Sequence, residues 1–416
     1  MSRRHFIARA SLAAALGTGA SFLPRSYGAT RKAIGAAFDD TVSSFMQARK
    51  VPGGALAVIK DRRLVYARAY GWADVEKKEA PRPDSLFRLA SISKTFTAVA
   101  VVKLAAAGRL RMDAPAFDIL QWEPLPGKKP DPRLSRITVR HLLHHTGGWD
   151  RDQSGDPMFM PEKIAFANGE PPPANQRAII RYMLGQPLDF DPGTRYAYSN
   201  FGYCVLGRII EKVTGLGYAP FMQQTILAPI GIRRMLLGRS RASARAEREV
   251  KYYMPEQRFE SRESLTEPFT GFCLEPLDSH GGWLASAVDL VRFAAALDDP
   301  ARVAWLPPEA RLVLYEPPAP PVSREADGTL QPAYYACGWQ VRPVGHGGRA
   351  NYWHNGSLPG TFTLLVRRYD GLAWAALFNQ RSSDPKLPDS EIDGALHQAA
   401  DSVAEWPGHD LFGNYI

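Results

Sequence analysis

Ser91 and Lys94 are a pair whose residue types and spacing could do chemistry. They stand at the front of an apolar, alanine-rich run, 96–107, in which Lys103 is the only charge. Length and composition predict a helix there. It is apolar nearly all round, so it should be buried, with Gly108 suited to the position just past its end. On a helix, the spacing puts Ser91 and Lys94 on one face, about one turn apart. A lysine opening a buried helix loses solvation, which favours its neutral amine. A neutral amine can take the proton of a serine hydroxyl and make the serine a nucleophile. The plainer alternative has Ser91 capping the helix and Lys94 solvated in its first turn. A second Ser-x-x-Lys, at Ser383 and Lys386, contains Pro385, is followed by Pro388 and reads as a turn.

Such a pair needs a third proton-handling group and an oxyanion hole. Tyr198-Ser199-Asn200 follows Pro192-Gly193-Thr194 in a loop before a helix that begins near Phe201. A phenol at Tyr198 could relay a proton between Ser91 and a leaving group. Asn200 could hydrogen-bond Lys94 and the substrate. The alternative packs the tyrosine at a helix start, with Ser199 or Asn200 as its cap. The last element should be a strand edge that offers a backbone N–H. His354-Asn355-Gly356-Ser357 fits, because it precedes the strand-like stretches 361–368 and 372–378. His-x-Gly also starts at His145, His280 and His346, but only His354 has aromatic and strand-like flanks.

The elements that must position these residues follow in chain order. Ser2-Arg3-Arg4-His5-Phe6-Ile7, the apolar run 13–23 and the small residues Ser26, Gly28 and Ala29 read as a twin-arginine export signal over 1–29. No later apolar run is long enough to span a bilayer, so the expectation is a periplasmic or extracellular protein. The formal charge is +9 over 416 residues. Arg3, Arg4, Arg9 and Arg25 leave with the signal, which has no acid, so four of the nine go and +5 remains. The basic residues are scattered, with no nucleic-acid-binding pattern. The three cysteines are widely spaced among apolar residues and read as buried free thiols. No cofactor or metal is expected.

The pattern predicts a helix over 36–50, a hairpin of 55–59 and 64–70, and helical pieces at 178–184, 202–213 and 287–296. Strands follow at 338–344, 361–368 and 372–378, the last two joined by Tyr369-Asp370-Gly371, and a helix over 390–403 closes the chain. The segment 150–173 carries no motif. This is an α/β (α+β) arrangement: one antiparallel sheet built from both termini (about 30–75 and 333–416) and flanked by helices, with an all-helical second lobe (about 76–332).

Together, these motifs resemble the serine β-lactamase-like family, with its class C β-lactamases, D-Ala-D-Ala carboxypeptidases, D-aminopeptidases and family VIII esterases. The resemblance runs from the hairpin after Val51-Pro52-Gly53 through Phe87–Thr97, His-Leu-Leu-His-His-Thr-Gly-Gly at 141–148, Tyr198-Ser199-Asn200, Gly-Gly-Trp-Leu-Ala-Ser at 281–286 and His354-Asn355-Gly356. It implies Ser91 as nucleophile, Lys94 as its lysine and Tyr198 as general base or acid. Asn200, His354 and Asn355 would line the site with Gly356 and Ser357. The backbone N–H groups of Ser91 and Ser357 would form the oxyanion hole. It also implies a β-lactamase/transpeptidase-like fold, with the site between sheet and helical lobe. Class C enzymes usually have lysine and threonine where this chain has His354 and Asn355. A histidine there should be mostly neutral near pH 7, so esters or amides with uncharged acyl groups are favoured over β-lactams. Arg349 is the candidate for any carboxylate. A β-lactamase or D-Ala-D-Ala carboxypeptidase is the alternative within the family. Outside it stand a metal hydrolase using His141, His144 and His145, and a non-catalytic binder of cell-wall peptides.

Overall fold

The computed structural model describes residues 32–254, 272–345 and 347–415; the expected export signal and His346 lie outside them. Among the described residues, no helix is long and apolar enough to cross a membrane.

A seven-stranded antiparallel sheet forms the frame, in the order β2 (Arg63–Gly71), β1 (Gly53–Lys60), β10 (Leu372–Phe378), β9 (Thr361–Arg367), β8 (Ala350–Leu358), β7 (Gln340–Pro343) and β6 (Tyr334–Tyr335). Strands from both ends of the chain meet where β1 pairs with β10. Side chains alternate across a strand, and the two faces serve different cores. Leu56, Val58, Trp374 and Phe378 pack with Phe38, Val42, Ile392 and Leu396 of the helices Ile34–Arg49 and Glu391–Ser402. Ala55, Ala57, Ala375 and Leu377 face a larger core that includes Phe96 and Phe293. Those two rings stack at 4.1 Å and join the helix Ser93–Ala106 to the helix Ala287–Leu297.

Two expectations change. The second lobe is not all-helical: β3 (Phe87–Arg88), β5 (Trp283–Ala285) and β4 (Leu236–Leu237) form a small sheet beside the nucleophile segment. Strands of two or three residues are too short to show a two-residue alternation. Also, Ala287–Leu297 packs against β1, β9 and β10, so it serves the large sheet. All three cysteines are free; Cys204 and Cys337 are buried and Cys273 is half-buried.

Candidate active site

Ser91 lies in a 3₁₀ turn, Ala90–Ile92, that runs directly into the helix Ser93–Ala106. The turn is clamped from two sides. Leu89 N–H donates to Trp283 O at 2.8 Å in the small sheet, and Thr363 Oγ1 of β9 donates to Leu89 O at 2.8 Å. Ala90 has φ of +49°, a left-handed conformation that an alanine adopts at a cost of roughly 1–2 kcal/mol. The clamps hold that strained residue beside the serine.

Lys94 is wholly buried. Its Nζ donates to Asn200 Oδ1 at 2.7 Å and to His280 O at 2.9 Å, and lies 3.2 Å from Ser91 Oγ. The two carbonyl oxygens accept two N–H groups. In the ammonium form the third N–H donates to Ser91. In the neutral amine that direction holds the lone pair, aimed at the serine hydroxyl. Burial pushes the Lys94 amine well below its ordinary pKa; the Asp156 charge opposes this and the Arg151 charge adds to it.

Ser199 caps the helix Asn200–Thr214 by accepting from Gly202 N–H at 3.2 Å, so the capping reading holds. The same cap places Tyr198 and Asn200 on either side of it. The Tyr198 ring lies 4.8 Å from Lys94 Nζ and 4.3 Å from the His145 ring. Its Oη is buried and makes no hydrogen bond of ordinary geometry among the described residues. Burial raises the Tyr198 pKa, while Ser91 and the Arg151 charge pull it toward the ionised form. Amine and phenol therefore move apart: the lysine is the group that loses its proton more easily, and the tyrosine keeps its own.

His354, Asn355, Gly356 and Ser357 lie within β8 itself, paired with Leu365, Leu364, Thr363 and Phe362 of β9. A Cβ on Gly356 would stand 2.1 Å from Leu89 O, so glycine lets β8 approach the nucleophile turn. Ser91 and Ser357 line one cavity of about 200 Å³, with Ala90, Asn200, Gly281 and Leu358. The expected lining roles of His354 and Asn355 are not seen. His354 is buried beside the site: Nδ1–H donates to Asn355 O at 2.6 Å and Nε2 accepts from Tyr335 Oη at 3.0 Å. Burial lowers its pKa to about 3, so it is uncharged. Asn355 is exposed and outside the cavity wall.

Arg349 is also displaced from its expected role. It lines a separate groove with Asp61, Arg62 and Arg367, its guanidinium 5.6 Å from the Tyr369 ring. The cations in the wall of the Ser91 cavity are Arg151 and Arg381. The guanidinium of Arg151 lies 4.9 Å from the Tyr198 ring. Asp156 Oδ2 accepts from Asn200 Nδ2 at 2.6 Å, and Phe159 completes this wall. All three come from the segment 150–173, where the sequence offers no recognisable pattern. His280 also enters the site, through its backbone carbonyl rather than its ring.

The histidines at 141–145 go to separate partners. His141 Nδ1 accepts from Thr138 N–H, His144 Nε2 sits 3.4 Å from Cys337 Sγ, and His145 Nδ1 accepts from Ser199 N–H. Among the described residues, no group of three histidine, cysteine or carboxylate side chains is placed to hold a metal.

The sequence model of the Beta-lactamase family matches residues 38–398. The chain is similar to esterase EstB of Burkholderia gladioli, 30% identical over 223 residues, which cover 52% of this chain and 55% of the esterase. It is also similar to penicillin-binding protein 4* of Bacillus subtilis (strain 168), 27% identical over 366 residues, covering 86% of this chain and 72% of that protein. Among solved structures, the octameric penicillin-binding protein homologue from Pyrococcus abyssi matches with a TM-score of 0.69 and 24% identity, over 90% of this chain and 79% of that one. At that identity the likeness shows the fold.

Proposed function

Because this chain belongs to the Beta-lactamase family, we propose that it is an exported serine hydrolase that works through an acyl-enzyme on Ser91, acting on esters or amides. The observation that carries this is the buried Lys94 Nζ, held by two carbonyl oxygens with its remaining direction aimed at Ser91 Oγ. The neutral amine takes the hydroxyl proton while Oγ attacks the carbonyl carbon. The developing oxyanion is stabilised by the N–H groups of Ser91 and Ser357. Tyr198, kept as a phenol by burial, passes a proton to the leaving alcohol or amine and recovers one from Lys94. Water then attacks the acyl-enzyme along the same proton path in reverse, releasing the acid and restoring Ser91.

The cavity of about 200 Å³ is small for a drug-sized ligand, for which pockets of roughly 300–1,000 Å³ are usual. It suits short acyl groups. The name of one relative, an esterase, agrees with that reading. A second reading, a β-lactamase or D-Ala-D-Ala carboxypeptidase, is favoured by one observation: Arg151 and Arg381 in the cavity wall offer the positive charge that His354 does not. Incubation with short p-nitrophenyl esters, D-amino-acid amides and penicillins, followed by mass spectrometry, tests both. Ester or amide adducts on Ser91 support the first reading; penicillin adducts alone would replace it with the second.

A further inference from the structure

Asp156 stands in the segment that the sequence left without a role, yet both of its oxygens are engaged at the site. Oδ1 accepts from Met158 N–H at 3.0 Å, which anchors the short turn Pro157–Phe159. Oδ2 accepts from Asn200 Nδ2 at 2.6 Å, and Asn200 Oδ1 in turn accepts from Lys94 Nζ at 2.7 Å. The contacts form a continuous line from a carboxylate through an amide and an amine to the serine. An asparagine amide can be turned end for end, and the two orientations occupy nearly the same space. An ionised carboxylate can only accept, so it obliges Asn200 to present its NH₂ to Asp156 and its oxygen to the lysine.

We propose that Asp156 is a positioning residue for Lys94, fixing the end of Asn200 that the lysine meets and placing a negative charge one amide away from it. The inference rests on the reading of Ser91 and Lys94 as nucleophile and base. Other groups around the lysine cannot supply this charge. His145, His280 and His354 are buried uncharged, and Tyr198 and Tyr203 are buried phenols. Arg151 is the remaining charge and acts in the opposite sense. Burial raises the Asp156 pKa above the usual carboxylate value, opposed by the Asn200 and Met158 hydrogen bonds and the Arg151 and Lys94 charges, which favour its ionised form. A base works best when its pKa lies near the working pH. Burial alone would take the lysine far below its ordinary value, and Asp156 restrains that fall.

Two variants separate this role from simple packing. In Asp156→Asn the charge is lost, and the new amide cannot accept from both Met158 and Asn200 without setting an NH₂ against a donor. In the exchange Asp156→Asn with Asn200→Asp, every hydrogen bond in the line can be kept, and the charge moves next to the lysine. The readouts are a titration of Lys94 by NMR in protein labelled with ¹³Cε-lysine, its signal assigned through Lys94→Met, and the pH profile of kcat/KM for p-nitrophenyl acetate. Asp156→Asn is expected to lower the Lys94 pKa by about one unit and kcat/KM by about ten-fold or more. The exchange is expected to raise the Lys94 pKa above that of the unaltered protein and to move the acid limb of the profile up with it. A Lys94 that titrates at one unchanged pH in all three proteins would overturn the proposal, whatever happens to thermal stability. Fluorophosphonate labelling of the unaltered protein tests the hydrolase reading separately. Its absence would remove that reading, while the titration, which needs no turnover, still decides the role of Asp156.

Discussion

At the scale of single residues, side chains that the fold brings together are legible in the sequence wherever they are near neighbours. Ser91 and Lys94 are three positions apart, and the geometry of one turn brings them together. Tyr198 and Asn200 flank a helix cap, and a cap is a local signal. Asp156, Arg151 and Arg381 were not legible, because nothing local marks an acid or an arginine that the fold later carries to a site. His354 shows the limit from the other side. Its place in the motif was readable, but its burial, which leaves Nε2 on Tyr335, was not. That burial sharpens the substrate expectation. A pKa near 3 keeps the imidazole uncharged from about pH 8 down to about pH 5.5. A short p-nitrophenyl ester should therefore give a higher kcat/KM than a chromogenic cephalosporin on the same preparation. Cephalosporin turnover should show no rise as pH falls through the ordinary histidine range. A cephalosporin value about ten-fold above the ester value, or a steep rise at low pH, would contradict this account of His354.

At the scale of elements, β1, β2, β9, β10 and the long helices were readable from period and composition, whereas β8 and the small sheet were not. Yet that sheet and β8 hold the nucleophile turn. Glycine matters at two places where elements approach closely. A Cβ on Gly207 would stand 2.5 Å from Ser279 Oγ, next to the His280 carbonyl that holds Lys94. A Cβ on Gly356 would stand 2.1 Å from Leu89 O and 2.3 Å from Thr363 Oγ1. The Leu89 contact is backbone and cannot turn aside. Gly356→Ala should therefore push β8 away from the Ser91 turn. Thermal unfolding should show a loss of about 1–3 kcal/mol, and ester turnover should fall by more than the folded fraction does, because the Ser357 N–H moves with the strand. A variant with unchanged stability and turnover would show that this close approach is not required.

At the scale of the molecule, burial of histidines gives the fold its own pH dependence. His144, His145, His280 and His354 are all buried, and burial lowers every one of their pKa values. The unfolded chain binds these protons near pH 6.5 and the folded chain does not, so stability is lost as pH falls below about 6.5. Each contributes on the order of 1 kcal/mol per pH unit in that range. The Tm should drop clearly between about pH 7 and pH 5.5, and a Tm that rises over that interval would contradict the burial of neutral histidines. The proposed export is also a matter of the whole chain. Arg3→Lys with Arg4→Lys should trap the precursor in the cytoplasm; unchanged periplasmic delivery in a strain lacking the twin-arginine translocase would rule the route out.

The central claim is that Ser91 is the nucleophile, and a covalent probe tests it most directly. The protein is treated with a fluorophosphonate, digested and mapped by mass spectrometry, alongside Ser91→Ala and Ser383→Ala. The account predicts one adduct on the peptide carrying Ser91, its loss in Ser91→Ala together with a fall in ester hydrolysis on the order of several powers of ten, and full labelling in Ser383→Ala. An unlabelled Ser91 peptide, or a Ser91→Ala protein that still labels and turns over at the original rate, would contradict it.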